Sequence, residues 1–524
     1  MTYIRDLDMA GRGATYQEHA CPACGADLLP SADRLVCTGC ARTYPVLQGV
    51  PLLLPDIAVT AGPEPAEEFV ADIARVAAPA DDGAARPLMR QLFSTRIVFP
   101  DRELGMEGHR FLERLRASGH SVRNPDGSQP AQALPEAEPA ATEDARRVPR
   151  VELRLLTLPA AVLSGRRFGL QVRLTNHGPG ALTSRGTTPF HLSYFARPPG
   201  RSRNTEGIRT ALLVDLPAGS SLSLPVIIDG ADGPGEWTYE ITPVVEHVAW
   251  LHGAALHVTV PVLPKTAPDP LDVDWPKGDA PRDYGSDHVH GIDLLNGWLQ
   301  ERLAGHPEPR ILELGGNSAP QIGSPRFALR NARRYNLDID PFGLVFGTVQ
   351  RALGGGEPVA DVLGDGTRLP FAAGAFDAIV MFATLHHFPD PVSLLRHLRR
   401  KLAPGGLICV LCEPMGHVTR DTLPEDFRHE LLGGICEQAF EAWEYRQFFL
   451  AAGLRVAHAL WDVGSLKVAL EVADREIDEL AGRVRSAPAL TPQSARPSAV
   501  SRFTSAARGL IARVTKAHWR RRLG

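Results

Sequence analysis

Pro309-Arg-Ile-Leu-Glu-Leu-Gly-Gly-Asn-Ser318, Tyr335-Asn-Leu-Asp-Ile-Asp340, Gly364-Asp-Gly366, Phe376-Asp-Ala-Ile-Val380 and Leu402-Ala-Pro-Gly-Gly406 follow one another in a single stretch. Its apolar runs, Ile311 to Leu314, Ala378 to Phe382 and Leu407 to Leu411, are short and do not alternate strictly. That is the pattern of strands buried on both faces of a parallel sheet. Polar residues stand where these strands end, and in open α/β sheets that rim is where ligands bind. From about residue 290 onward, strand-like runs alternate with helical patterns. An α/β doubly wound, Rossmann-like domain is therefore expected over 285–475.

After Leu314 the chain is expected to turn tightly beside a ligand and then start a helix. Gly315 and Gly316 permit a close backbone approach, Asn317 tolerates left-handed geometry, and Glu313 suits an amino group or the loop itself. Asp338 ends the second strand, with Asp340 its neighbour and competitor. A carboxylate with two acceptor oxygens matches a pair of ribose hydroxyls. Together with Leu369-Pro-Phe371, Leu385-His-His387 and Pro389-Asp-Pro391, these residues resemble the type 11 family of class I S-adenosylmethionine-dependent methyltransferases over roughly 308–413.

That resemblance implies S-adenosylmethionine as cofactor, with Glu313, Gly315, Gly316 and Asn317 around its methionine part. It puts Asp338 or Asp340 on the ribose, Asp365 and Gly366 at the adenine, and Phe382 at the cofactor face. The chain departs from the family where three alternating glycines usually follow the acid, because Asn317 and Ala319 replace the second and third. A nicotinamide-binding domain also wants glycines followed by an acid, but Leu-Pro-Phe, Phe-Asp and Pro-Gly-Gly have no role in it. Since a sulfonium is already a strong electrophile, the protein need only align a nucleophile and, for an alcohol, take its proton. His386, His387 and Glu413, at or just after strand ends, are the candidate bases. The second histidine of this motif also often packs structurally in the family.

With 524 residues the chain is too long for one ordinary core and points to about three domains at ~150 residues each. A net charge of −4 gives no basic field for nucleic acid. The N-terminus lacks a secretory core and no apolar run approaches the ~20 residues that span a bilayer, so a cytoplasmic location is expected. Cys21-Pro-Ala-Cys24 and Cys37-Thr-Gly-Cys40 are two knuckles twelve residues apart, a spacing that lets four thiolates surround one structural Zn²⁺. Two disulfides or idle thiols are the alternatives. With Tyr44-Pro-Val46 and Gly49-Val-Pro-Leu-Leu53, the segment resembles small bacterial zinc ribbons related to the activator subunit of tRNA and protein methyltransferases, and the ribbon is placed at 15–57.

Residues 58–149 read as linker, with a helical segment near 88–118. Over 150–263, strand-length runs separated by turn signals such as Asn176-His-Gly-Pro-Gly180 indicate an all-β sandwich. Phe190-His-Leu-Ser-Tyr194, Gly235-Glu-Trp-Thr-Tyr239 and Val245-Glu-His-Val-Ala-Trp250 make it similar to the sugar-recognition domain of certain polysaccharide exporter ATPases. Tyr194 and Trp250 are then expected to stack on sugar faces, or else to fill the core. A second linker, 479–500, precedes a basic amphipathic tail, 501–524, with seven Lys or Arg and no acid. Such a tail suits the inner face of an anionic membrane, a partner helix or disorder. The combined expectation is O-methylation of a hydroxyl on a cell-surface saccharide or lipid-linked glycan precursor. The ribbon raises a tRNA or protein methyltransferase as alternative, and the eroded glycine turn a non-catalytic glycan-binding scaffold.

Overall fold

The computed structural model describes residues 18–31, 33–99, 102–105, 108–130, 148–159, 161–202, 204–266, 275–276, 284–354, 356–432, 435–462 and 464–473. The expected linker 479–500 and tail 501–524 lie outside them.

In the C-terminal domain we number the elements helix α1 (Tyr284–Arg302), strands β1 (Arg310–Leu314) and β2 (Arg333–Asp338), helix α2 (Pro341–Gly354), strands β3 (Ala360–Leu363) and β4 (Phe376–Phe382), helix α3 (Pro391–Arg399), strand β5 (Leu402–Pro414), helices α4 (Glu425–Leu432) and α5 (Ala442–Ala451), and strands β6 (Leu454–Asp462) and β7 (Ser465–Val472). They form one seven-stranded sheet in the order β3-β2-β1-β4-β5-β7-β6. The first five strands are parallel, while β7 runs antiparallel to both its neighbours. Every residue of β4 is buried, as a central strand covered on both faces requires.

The expected helix after β1 does not form. The crossover to β2 holds a single 3₁₀ turn, Gln321–Gly323. Pro320 and Pro325 flank that turn and deny an α-helix its amide donors. The crossover is instead anchored to its neighbours. Asn336 Nδ2 donates to Asn317 O (2.8 Å) and Arg351 Nη1 to Ser318 O (2.9 Å). A Cβ on Gly347 of α2 would stand 2.2 Å from Ser318 O, so only glycine lets the loop lie this close.

The cysteine-bearing N-terminal sheet (Leu28–Ser31, Arg34–Cys37, Thr43–Leu47, Val50–Pro51) is separate from the main sheet and docks on its β3 edge. Leu52 pairs in parallel with Leu363, Leu53 N donates to Leu363 O (2.9 Å) and Ala20 N to Pro370 O (2.8 Å). These bonds cover an edge that would otherwise expose unpaired backbone.

Residues 58–87, expected to be linker, are folded. Strand Ala58–Ala61 pairs with Thr95–Phe99, and helices Glu67–Ala77 and Asp82–Phe93 pack on α2, as does His109–Ala117 beyond them. Phe69, Phe93, Phe111, Phe342 and Phe346 make their common core. The buried positions Phe69, Val70, Ile73, Ala74 and Ala77 follow helical spacing. Alanines hide that period from a reading that looks for large apolar residues.

Between these units, two sheets, antiparallel except for the edge strand Val162–Leu163, share one core. The smaller comprises Val151–Thr157, Phe168–Asn176 and Ser221–Ile228, and the larger is built on Phe190–Arg197, Gly235–Val245 and Leu256–Leu263. Leu170, Val172 and Leu174 face this core, while Gly169 and Gln171 on the other face are buried as well, with Gly169 close to His417 and Glu444. This two-sheet unit rests on the segment that follows β5. Val418, Leu423, Leu431 and Trp443 pack against its core, and Arg420 pairs with Asp215 at 3.0 Å.

Candidate active site

The C-terminal tips of β1, β2 and β3 form a continuous rim. Strand register sets Leu314 beside Leu337 and Asp338 beside Leu363, so Glu313, Asp338 and Asp365 lie along it in turn. The three carboxylates are used differently. Buried Glu313 accepts from Gln321 N and Ile322 N, both at 2.9 Å, and so fixes the crossover loop. Burial pushes its pKa up to about 7, against the opposing pull of those two amides. Half-buried Asp338 accepts from Asn317 N (3.0 Å) through Oδ2 and from Asp340 N (2.9 Å) through Oδ1. Each oxygen keeps a further lone pair, which fits a diol. Burial, then repulsion from Asp340, raise its pKa to about 6. Asp340 accepts from Asn317 Nδ2 (3.0 Å) and Phe342 N (3.0 Å), while Asp365 caps the short turn Gly366–Arg368 by accepting from Thr367 N (2.8 Å).

Gly315 has φ +83°, and a Cβ there would meet Thr384 at 2.5 Å. The turn after β1 thus touches the tip of β4. Three non-glycine residues in left-handed backbone, Asn317 (φ 45°), Ala383 (φ 44°) and Cys412 (φ 58°), lie at or near the tips of β1, β4 and β5. Strain of this kind persists only where surrounding contacts over-determine the conformation. Gly316 lies over Asn336 and Pro320, buried Gly366 faces Phe388 and Leu314, and buried Phe382 stacks on His288 of α1 (5.8 Å between centroids).

Beyond Thr384 lies a second cluster. Glu413, fully buried, accepts from Thr384 N and Leu385 N at 2.8 Å, from His386 N at 3.1 Å, and bonds His386 Nδ1 at 2.8 Å. His386 Nε2 lies 3.4 Å from Glu437 Oε2, and His387 Nδ1 lies 3.1 Å from Glu437 Oε1 and 3.0 Å from Cys436 O. Burial alone would lower the His386 pKa, but Glu413 and then Glu437 outweigh it and raise it to about 9. The Glu437 carboxyl, which burial would raise, is held down at about 2 by the two imidazoles. His386 is buried beneath Phe427, whose ring is parallel to it at 6.0 Å, whereas His387 keeps 34% side-chain exposure. All oxygen contacts of Glu413 are therefore committed, and His387 is the member that a second molecule can reach.

The structure thus gathers His386, His387 and Glu413 in one place, next to the glycine turn. The sequence places Glu437 only in a segment, 434–456, expected to shape the acceptor pocket, and nothing local links it to the histidines fifty positions away. Nor does the sequence reveal the buried bracket made by Lys467 Nζ with Asp287 Oδ1 (2.7 Å) and Asp462 Oδ2 (2.9 Å), which ties α1 to β7.

Away from the cleft, the Sγ atoms of Cys21, Cys24, Cys37 and Cys40 lie within 4.8 Å of one another. Gly39 N and Cys40 N point at Cys37 Sγ (3.3 and 3.4 Å), and hold the Cys37 thiol down at about 6. Four convergent sulfurs with amide donors to thiolate fit a tetrahedral Zn²⁺ with no open position. Tyr194 is not available for stacking on a sugar. Its ring is buried in the two-sheet core, Gly207 packs against it, and its hydroxyl accepts from Asp229 N (2.9 Å). Trp250 is half-buried, with the Arg209 guanidinium 4.6 Å above its ring and Phe195 at 4.6 Å.

Residues 321–410 match the profile of a family described as "Methyltransferase domain". A demethylmenaquinone methyltransferase of Mycolicibacterium vanbaalenii is 41% identical over 114 residues, 22% of this chain and 46% of that protein. The chain thus spans less than half the length of that relative. Two solved structures are similar at low overall superposition. The YcgJ protein from Bacillus subtilis gives a TM-score of 0.27 at 17% identity, covering 33% of this chain and 72% of that one. A complex between the Haloferax volcanii Trm112 methyltransferase activator and the putative methyltransferase gives 0.25 at 20% identity, covering 37% and 100%. The domain built on β1 to β7 is a Rossmann-like, class I methyltransferase domain, for which S-adenosylmethionine is the expected methyl donor.

Proposed function

We propose that the chain is an S-adenosylmethionine-dependent methyltransferase that methylates a hydroxyl of a cell-surface saccharide or a lipid-linked glycan precursor. The observation that carries this reading is the direct contact between the two halves of the cleft, the Gly315 turn on one side and Thr384, leading into His386 and His387, on the other. S-adenosylmethionine, when bound, supplies an electrophilic methyl group. The chain's own residues do the rest. Asp338 offers its remaining lone pairs to the ribose, and the anchored crossover loop accepts the methionine part without reorganising. The acceptor lies against the second cluster, where the proton of a hydroxyl has somewhere to go.

The saccharide part of the proposal draws on the two-sheet unit. That unit packs on Arg420, between β5 and α4, and on Trp443 of α5, in the region that borders the cluster. With Tyr194 buried, Trp250 and its neighbours Arg209 and His252 are the sugar-facing candidates that remain. The four cysteines hold a structural Zn²⁺ in a ribbon that stabilises β3 in cis. A cytoplasmic location, with the basic tail at the inner membrane face, completes the proposal. Incubating the full chain with methyl-labelled S-adenosylmethionine and a fractionated cell envelope tests it. Label is expected in the saccharide or lipid-linked fraction, and label confined to RNA or protein would overturn the choice of acceptor.

A further inference from the structure

The second cluster carries a feature that hydrogen bonding explains poorly. Charge-assisted N–H···O⁻ bonds run at about 2.7–2.9 Å, and the His386 Nδ1 to Glu413 bond, at 2.8 Å, conforms. The two contacts made by Glu437 are longer: 3.1 Å to His387 Nδ1, near the upper end of the usual range, and 3.4 Å to His386 Nε2, beyond it, which leaves buried Glu437 Oε2 without a hydrogen-bond partner among the described residues. They instead bracket the edge of a coordination tetrahedron, which for bonds of about 2.0–2.1 Å is ~3.3–3.4 Å. His387 Nδ1 is also faced by two oxygens at once, Glu437 Oε1 and Cys436 O at 3.0 Å. Both oxygens only accept, so Nδ1 either carries a proton and donates to them or shares a cation with them.

The supporting shell is that of a metal centre. Glu413, anchored by three backbone amides, holds the Nδ1 edge of His386 and so turns the Nε2 edge toward Glu437. Carboxylates orient metal-bound imidazoles in this way. We propose that His386, His387 and Glu437 form a binding site for one divalent transition-metal cation on the acceptor side of the cleft, separate from the four-thiolate site. Two imidazoles and one carboxylate suit zinc, cobalt, iron or manganese rather than calcium or magnesium. Three protein ligands leave a position open, and the partial exposure of His387 puts it on the accessible side.

The inference rests on the methyl-transfer reading and sharpens it by assigning the acceptor as a hydroxyl ionised by the cation. The O–H proton leaves to water, the oxygen forms the new C–O bond, and the donor's C–S bond breaks to leave a neutral thioether. The metal is unchanged.

Cobalt(II) is the probe, loaded into the chelator-stripped full chain and followed by metal count and visible spectrum. The wild type is expected to hold two ions, one with intense thiolate-to-metal charge transfer and one with the weaker bands of nitrogen and oxygen ligands. Glu437→Gln and the milder, half-exposed His387→Gln should each hold one, with thiolate bands and thermal midpoint retained. A wild type that holds only thiolate-bound cobalt, or folded variants that still hold two ions, overturns the site. Titration with S-adenosylmethionine on the same samples separates the two readings. Donor binding with one metal keeps methyl transfer and rejects the second site, whereas two metals without donor binding does the reverse.

Discussion

The two halves of the cleft are built by opposite devices. On the cofactor side, Glu313, Asp338 and Asp340 spend their oxygens on backbone amides of adjoining loops, and the result is a fixed surface with lone pairs to spare. On the acceptor side, His386, His387 and Glu437 turn mainly on one another and on Glu413, which backbone amides hold in place, and the result is a concentrated set of protonic and ligating atoms. The first arrangement suits recognition of a ligand whose reactivity is its own. The second suits chemistry that the protein must supply. The contrast teaches that binding and reaction are separable here, so substitutions should move one without the other.

The largest separation is expected at His387. Its replacement by alanine should lower kcat by ~10²–10⁴-fold, the usual range for losing a group that takes part in deprotonating the acceptor. Affinity for S-adenosylmethionine should stay within about twofold, a split read by calorimetry beside turnover. Equal losses in both would break the comparison.

A smaller effect, of opposite sense, is expected at Gly315. Alanine there must adopt left-handed backbone, at about 1–2 kcal/mol, and meet Thr384. Donor affinity should fall about tenfold or more, and Thr384→Ala in the same chain should restore the part due to contact. A full restoration would show that the backbone term is negligible.

The smallest effect is a pH dependence. Because the Asp338 pKa is raised to about 6 by burial and Asp340, its carboxylate is ionised above that value and protonated below it. Donor affinity should be level above pH 7 and weaken toward tenfold per unit as pH falls below 6. In Asp338→Asn the profile should be flat and low. A wild-type profile as flat as the variant's would assign ribose binding elsewhere.

How much of this was legible in the sequence follows from how local each device is. Strands β1, β4 and β5 announce themselves as apolar runs, and Asp338 and Asp365 stand at their strand ends, because a parallel sheet fixes both features within a few residues. The crossover after β1 misled, since its glycines read as the prelude to a helix and the weight of Pro320 and Pro325 was missed. The helix Glu67–Ala77 was hidden by its alanines, and its burial depends on Phe342 and Phe346, far along the chain. The pairing of Glu437 with His386 was illegible for the same reason, because only the folded sheet brings the two together, although the segment 434–456 reads as part of an acceptor pocket. Tyr194 and Trp250 could not be told apart in the sequence. One proved to be core and the other a half-buried residue under Arg209.

The claim on which the rest depends is that the tips of β1, β2 and β3 make one cofactor surface centred on Asp338. Calorimetric titration of S-adenosylmethionine into the full chain and into Asp338→Ala tests it most directly. The account predicts one site per chain in the wild type and a loss of ~10–100-fold in the variant, the weight of one or two hydrogen bonds to a charged group. No binding to the wild type, or equal binding to both, would contradict it.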